Sequence, residues 1–148
     1  MTDLPMPVDV PGALPPQGHY SMGVRHGGLV YVSGQLGVCP DGSHTSHLSF
    51  EDQARQAMRN LFGVLAAAGL GPESLVKVSA YIVGVANWPA FNGIYAEMMG
   101  ASRPARCVVP VPELHYGYAI EVEAIAAEAR ETGSSPIGAS SGPEDQAE

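Results

Sequence analysis

A chain of 148 residues, 45% hydrophobic and 15% charged, is long enough for one domain with a sizeable core. Its formal net charge of −8, with seven Lys and Arg that form no cluster, excludes the footprint of a nucleic-acid binder and of a polybasic membrane anchor. No apolar run reaches the roughly 18 residues that span a bilayer, and the N-terminus lacks a signal core, so a cytoplasmic location is expected.

Residues 1–18 hold Pro5, Pro7, Pro11, Pro15 and Pro16 and read as an extended Pro-rich leader that cannot be helical, parts of which can pack on the surface. Residues 19–130 hold the domain. His19–Val24 is a short strand, Arg25–Gly28 a turn, and Leu29–Gln35 a β-branched and aromatic strand. Ser33 and Gly34 break its apolar character where backbone N–H groups could meet a ligand. Leu36–Leu48 is loop, and its His44 and His47 have no third ligand nearby, so they are expected as surface residues. Ser49 caps a helix whose Ala54, Ala57, Met58, Leu61, Leu65 and Ala68 form one apolar face, with Gly69 as its stop. Its Arg55, Gln56, Arg59 and Asn60 side is expected to be solvated.

Leu75–Val83 is the next strand. A second helix follows, with Asn87 as cap, Pro89 in its first turn, a buried stripe of Phe91, Ile94, Tyr95, Met98 and Met99, and Gly100 at its end. A strand begins at Arg106 and breaks at Pro110 and Pro112, a loop covers Glu113–Gly117, and the last strand runs from Tyr118 to Ala127. Residues 131–148, rich in Ser, Gly, Pro and acids, read as a flexible acidic tail. The two cysteines, Cys39 and Cys107, are expected as free thiols, Cys107 as a buried one.

The order β-β-α-β-α-β-β implies an α+β domain, a mixed sheet with two helices on one face. In the last strand Ile120, Val122, Ala124 and Ala126 point under the helices, and Glu121, Glu123 and Ile125 point the other way. A half-polar sheet face in a chain of this size is explained by packing against further copies, with a site at the seam. Two charges stand out: Arg106 at the head of an apolar run, and Glu121 inside a run of Ile, Val and Ala. Such charges are costly unless paired or met by a ligand. They read either as a small anion-recognising, water-activating pocket or as a salt bridge of Arg106 with Glu121, Glu123 or Glu113.

Several stretches together carry a resemblance: Tyr31-Val-Ser-Gly-Gln35, Gln53-Ala-Arg-Gln-Ala with Asn60-Leu, Ala67-Ala-Gly69, Val76-Lys-Val, Phe91-Asn92 with Tyr95, Arg103-Pro-Ala-Arg106 and Glu121-Val-Glu-Ala-Ile125. In this order and spacing, over Gly18 to Ala127, the chain resembles the Rid family of reactive intermediate deaminases, the RidA/YjgF type. The resemblance implies a chorismate-mutase-like domain, a homotrimer with active sites in the clefts between subunits, and no metal or organic cofactor. It implies hydrolysis of enamine and imine acids of the 2-iminopropanoate type to 2-oxo acids and ammonia. Arg106 matches the arginine that pairs with the substrate carboxylate, and Glu121 the acid that orients water. Tyr20 and Asn92 match residues of the cleft, Ser33 and Gly34 the strand end near the ligand, and Cys107 a backbone contact. Tyr118 is carried as a further substrate-binding candidate. Many members have a cysteine two residues after the arginine, where this chain has Val108, and the segment Pro110–Tyr118 departs from the usual Leu-Pro turn. A non-catalytic trimer that binds small 2-oxo acids remains an alternative, as does a ribonuclease or translation inhibitor, against which the acidic charge counts.

Overall fold

The computed structural model describes residues 3–129, so the acidic tail lies outside the described residues. Six strands, β1 (Met6–Pro7), β2 (Gly23–His26), β3 (Leu29–Gln35), β4 (Leu75–Val83), β5 (Ala105–Val111) and β6 (Ile120–Ala127), form one sheet in the order β1-β2-β3-β6-β4-β5. Among the described residues two α-helices, α1 (Phe50–Ala67) and α2 (Trp88–Met99), accompany the sheet. β4 and β5 are parallel and joined through α2, as parallel neighbours require a crossover, while the other pairs are antiparallel. β6, the last strand among the described residues, is threaded between β3 and β4, which places Glu121 in mid-sheet.

One face of the sheet is apolar because strand alternation sends Val30, Val32, Val78, Ala80, Ile82, Ile120, Val122, Ala124 and Ala126 to the same side. Against them pack Ala54, Ala57, Met58, Leu61, Val64 and Leu65 of α1, and Phe91, Ile94 and Met99 of α2. The expected α+β architecture, with the helices on one side of a mixed sheet, is what the chain adopts. The opposite face carries Tyr31, Lys77, Ser79, Cys107, Glu121, Glu123 and Ile125, and a dish of about 230 Å3 lies among several of them.

Several boundaries differ from the sequence reading. Part of the leader joins the sheet and the core: Met6 and Pro7 pair with Arg25 and Val24, and Val8 is only 5% exposed. The first strand of the domain begins at Gly23, and only Gly27 and Gly28, both at positive φ, form its turn. β5 runs through Pro110 to Val111, because an outermost strand has no neighbour to miss the absent N–H. Ser49 does cap α1, accepting the Asp52 N–H at 3.1 Å. Asn87 does not cap α2: its own backbone is already helical and its Nδ2 donates to the Val83 carbonyl at 2.9 Å.

The polar side of α1 is not simply solvated. Arg55 forms a forked pair with Glu97 of α2, both contacts at 3.0 Å. Asn60 donates to the carbonyls of Leu36 and Val38 at 2.8 and 2.7 Å. Gln53, 3% exposed, donates to Ser46 and Leu48 carbonyls and accepts the Ala119 N–H at 2.8 Å. These two amides supply the partners that a semi-buried loop backbone would otherwise lack. They therefore hold residues 36–48 against the start of β6.

Candidate active site

Glu121 lies on the face away from the helices, opposite Tyr81 in the β4–β6 register. The register of β3 on β6 shifts between Val32 and Gln35, which puts Ser33 and Gly34 in a bulge beside it. A Cβ built on Gly34 would overlap Oε1 of Glu121, so glycine is what lets the carboxylate lie over this strand. Burial pushes the Glu121 carboxyl up from its ordinary range, the negative charge of Glu123 adds to the rise, and His115 opposes it. Glu123 itself accepts the Tyr81 hydroxyl at 2.7 Å, which raises the tyrosine in turn. Ser33 is tied to the next strand segment, its N–H donating to Met22 and its hydroxyl to the Ser21 carbonyl. Tyr20, exposed, adjoins this segment and helps line a cavity of about 310 Å3 with the leader.

Arg106 occupies a different place. Its register partner is Val78, on the helix side, and its guanidinium lies 5.1 Å from the ring centre of Tyr95 and 5.6 Å from that of Phe91. Two aromatic faces hold the cation by quadrupole attraction without consuming its N–H donors. None of the ion pairs among the described residues involves Arg106 or Glu121. The salt bridge that would have made Arg106 merely structural is thus not formed within the protomer. Asn92, exposed, is on α2 between those two aromatic residues in sequence.

Arg106 and Glu121 therefore sit on opposite faces of one sheet, with β4 between their strands. Two inter-strand spacings separate the two strands by about 10 Å, and Arg106 is level with Ala124 rather than with Glu121. The β4–α2–β5 crossover makes β5 the outer strand, so the Arg106 strand does not lie beside β6. Ser33 and Gly34 thus lie beside Glu121, with Tyr20 in the segment that Ser33 bonds, while Arg106 lies on the helix side of the sheet with α2, which carries Asn92.

A family model described as Endoribonuclease L-PSP matches residues 11–128. The chain belongs to this family. Relatives of the L-PSP (Rid/RutC) family include a RutC family protein of Pyrococcus horikoshii, 34% identical over 111 residues that cover 75% of this chain and 88% of that one. Another is named 2-iminobutanoate/2-iminopropanoate deaminase, from Dermatophagoides farinae, 34% identical over 118 residues, 80% of this chain and 92% of that one. Among solved structures, E. coli TdcF with bound serine superposes with a TM-score of 0.77 at 30% identity, covering 84% of this chain and 99% of that one.

Two expectations for this L-PSP member need correcting. Tyr118 is 1% exposed, and its hydroxyl accepts the Thr45 N–H at 3.1 Å and meets His44 Nδ1 at 2.9 Å. It is a buried post under the 36–48 loop, not an open residue of the protomer surface. Cys107 is exposed in the protomer, on the open sheet face opposite Ser79, not buried. Alternation explains both its exposure and its direction away from the Arg106 side. Sequence reasoning missed three features: the Phe91–Tyr95 seat of Arg106, the Tyr81–Glu123 bond, and His115 near Glu121. The first two follow from strand pairing and helix packing, which no local motif displays.

Proposed function

We propose that this chain is a hydrolytic deaminase of reactive enamine and imine acids, working as a homotrimer whose sites form between copies. The supporting observation is the split itself. A cation whose donors have no partner among the described residues and a carboxylate raised by burial are both poised for a ligand, yet lie on opposite faces of one protomer. Docking a second copy brings Arg106 of one to Glu121 of the other. A relative named as an imine deaminase and a fold-mate with bound serine, a small acid bearing nitrogen on its second carbon, support the same reading.

The chemistry needs few groups. Arg106 forks onto the substrate carboxylate, and Asn92 and the Cys107 backbone complete that side. The iminium carbon is already electrophilic, so no cofactor is called for. Glu121 accepts a proton as water adds to that carbon and returns it to the nitrogen; it then takes the hydroxyl proton as the carbinolamine collapses to 2-oxo acid and ammonia, which carries that proton away as ammonium. A raised carboxyl is the stronger base once ionised, which suits the first half of this exchange. Ser33 and Gly34 present the strand bulge beside the water, and Tyr20 lines the cleft.

The test is the loss of 2-iminopropanoate generated in situ by an amino-acid oxidase. Purified protein should accelerate it, and the Arg106→Ala variant should not, while its oligomer persists in sedimentation. Binding of pyruvate with no acceleration would favour the non-catalytic 2-oxo acid binder instead.

A further inference from the structure

Tyr116 is the one non-glycine residue among the described residues at positive φ, at φ 58 and ψ 17 in the short turn His115–Gly117. A bulky side chain is unfavourable there, and Gly or Asn would adopt the conformation readily. The next residue, Gly117 at φ 74, shows that this turn takes glycine where a side chain is not needed. Nor does the Tyr116 ring serve the core, since it remains 51% exposed.

The ring is nonetheless held. His115 lies 3.6 Å from it between ring centres and His44 4.9 Å, and His44 is fixed in turn by the buried Tyr118 hydroxyl. This builds a small aromatic stack, anchored on two loops, with one tyrosine face half open. The turn runs directly into β6, and His115 is near enough to Glu121 for its charge to act on that carboxyl. Strain retained at a surface position, with surrounding groups that enforce it, is characteristic of ligand-contacting segments.

We infer that Tyr116, braced by His115 and His44, is the wall that reads the side chain of the bound acid, and that the preferred side chain is flat and aromatic. An aryl group lying against the open face would extend the existing stack in the offset geometry that aromatic pairs favour. The inference rests on the proposed 2-oxo and imino acid site, to which it adds a substrate class.

Calorimetric titration of the full chain with phenylpyruvate and with pyruvate tests it, alongside Tyr116→Asn, which tolerates the backbone conformation and removes the ring. The wild type should bind phenylpyruvate more tightly, and Tyr116→Asn should lose about three- to tenfold for that acid, the size of one stacked pair, while pyruvate binding stays unchanged. The variant should melt no lower than wild type, which separates loss of contact from loss of fold. Equal affinities for the two acids in the wild type, or an equal loss of both in the variant, overturns this inference alone. Acid binding without turnover of either imine overturns the deaminase reading and leaves this inference standing. Failure to bind either acid overturns this inference, while imine turnover alone decides the deaminase reading.

Discussion

Replacing Gly34 by alanine isolates the position of the Glu121 carboxylate from the stability of the fold. The added Cβ would clash with Oε1 of Glu121 and lie 3.1 Å from its Cδ and 3.5 Å from its Cγ. Restoring ordinary contact, roughly 3.5 Å between carbon atoms, requires the carboxylate to swing by about 1 Å. The obstruction is the far end of a flexible side chain, and Gly34 is not at positive φ, so the backbone need not move. An off-rotamer glutamate costs about 0.5–1.5 kcal/mol, which the alanine offsets by about 0.5–1 kcal/mol through its smaller entropy loss in a strand. The Tm should therefore stay within about 4 °C of wild type. Catalysis is far less tolerant: a 1 Å misplacement of a reacting group costs on the order of 100-fold. The assay is ammonia release from 2-iminopropanoate formed in situ, run beside thermal melting by circular dichroism. If Gly34→Ala turns over within about threefold of wild type at an unchanged Tm, the placement of Glu121 over the Ser33–Gly34 bulge does not govern the reaction.

Arg106→Lys should keep a charge near Phe91 and Tyr95 but lose the two-pronged geometry; kcat/KM should drop about 10- to 100-fold, as one charge-assisted hydrogen bond is lost. The activity of the wild type should fall as pH drops through a Glu121 pKa above the usual carboxylate range, because the base must be ionised. Glu123→Gln removes one of the two causes of that rise, so the acid limb of the pH–rate profile should move to lower pH. The same raised carboxyl is bound more tightly to its proton in the folded state, so its contribution to stability is present at low pH and lost as pH rises through the folded value. Glu121→Gln should accordingly be inactive yet melt higher than wild type at neutral pH, with the gain vanishing in acid. Gln53→Ala strands the Ala119 N–H and two loop carbonyls and should cost about 2–4 kcal/mol in urea unfolding.

Local pattern decided much of this protein. The β3 and β4 strands, the apolar stripe of α1 with its Ser49 cap, and the inward set of β6 are all written in short-range periodicity, because burial on one face imposes a period of two on strands and 3.6 on helices. Local pattern also singled out Arg106 and Glu121, since a charge in an apolar run needs a reason wherever the run goes. What local pattern does not encode is strand order. Only the crossover through α2 and the insertion of β6 between β3 and β4 put those two charges on opposite faces, and only the folded chain sets Arg106 on two aromatic rings. The roles of Gln53, Asn60 and Tyr118 were equally hidden: a polar group is satisfied by partners distant in sequence, and loop closure alone brings those partners near.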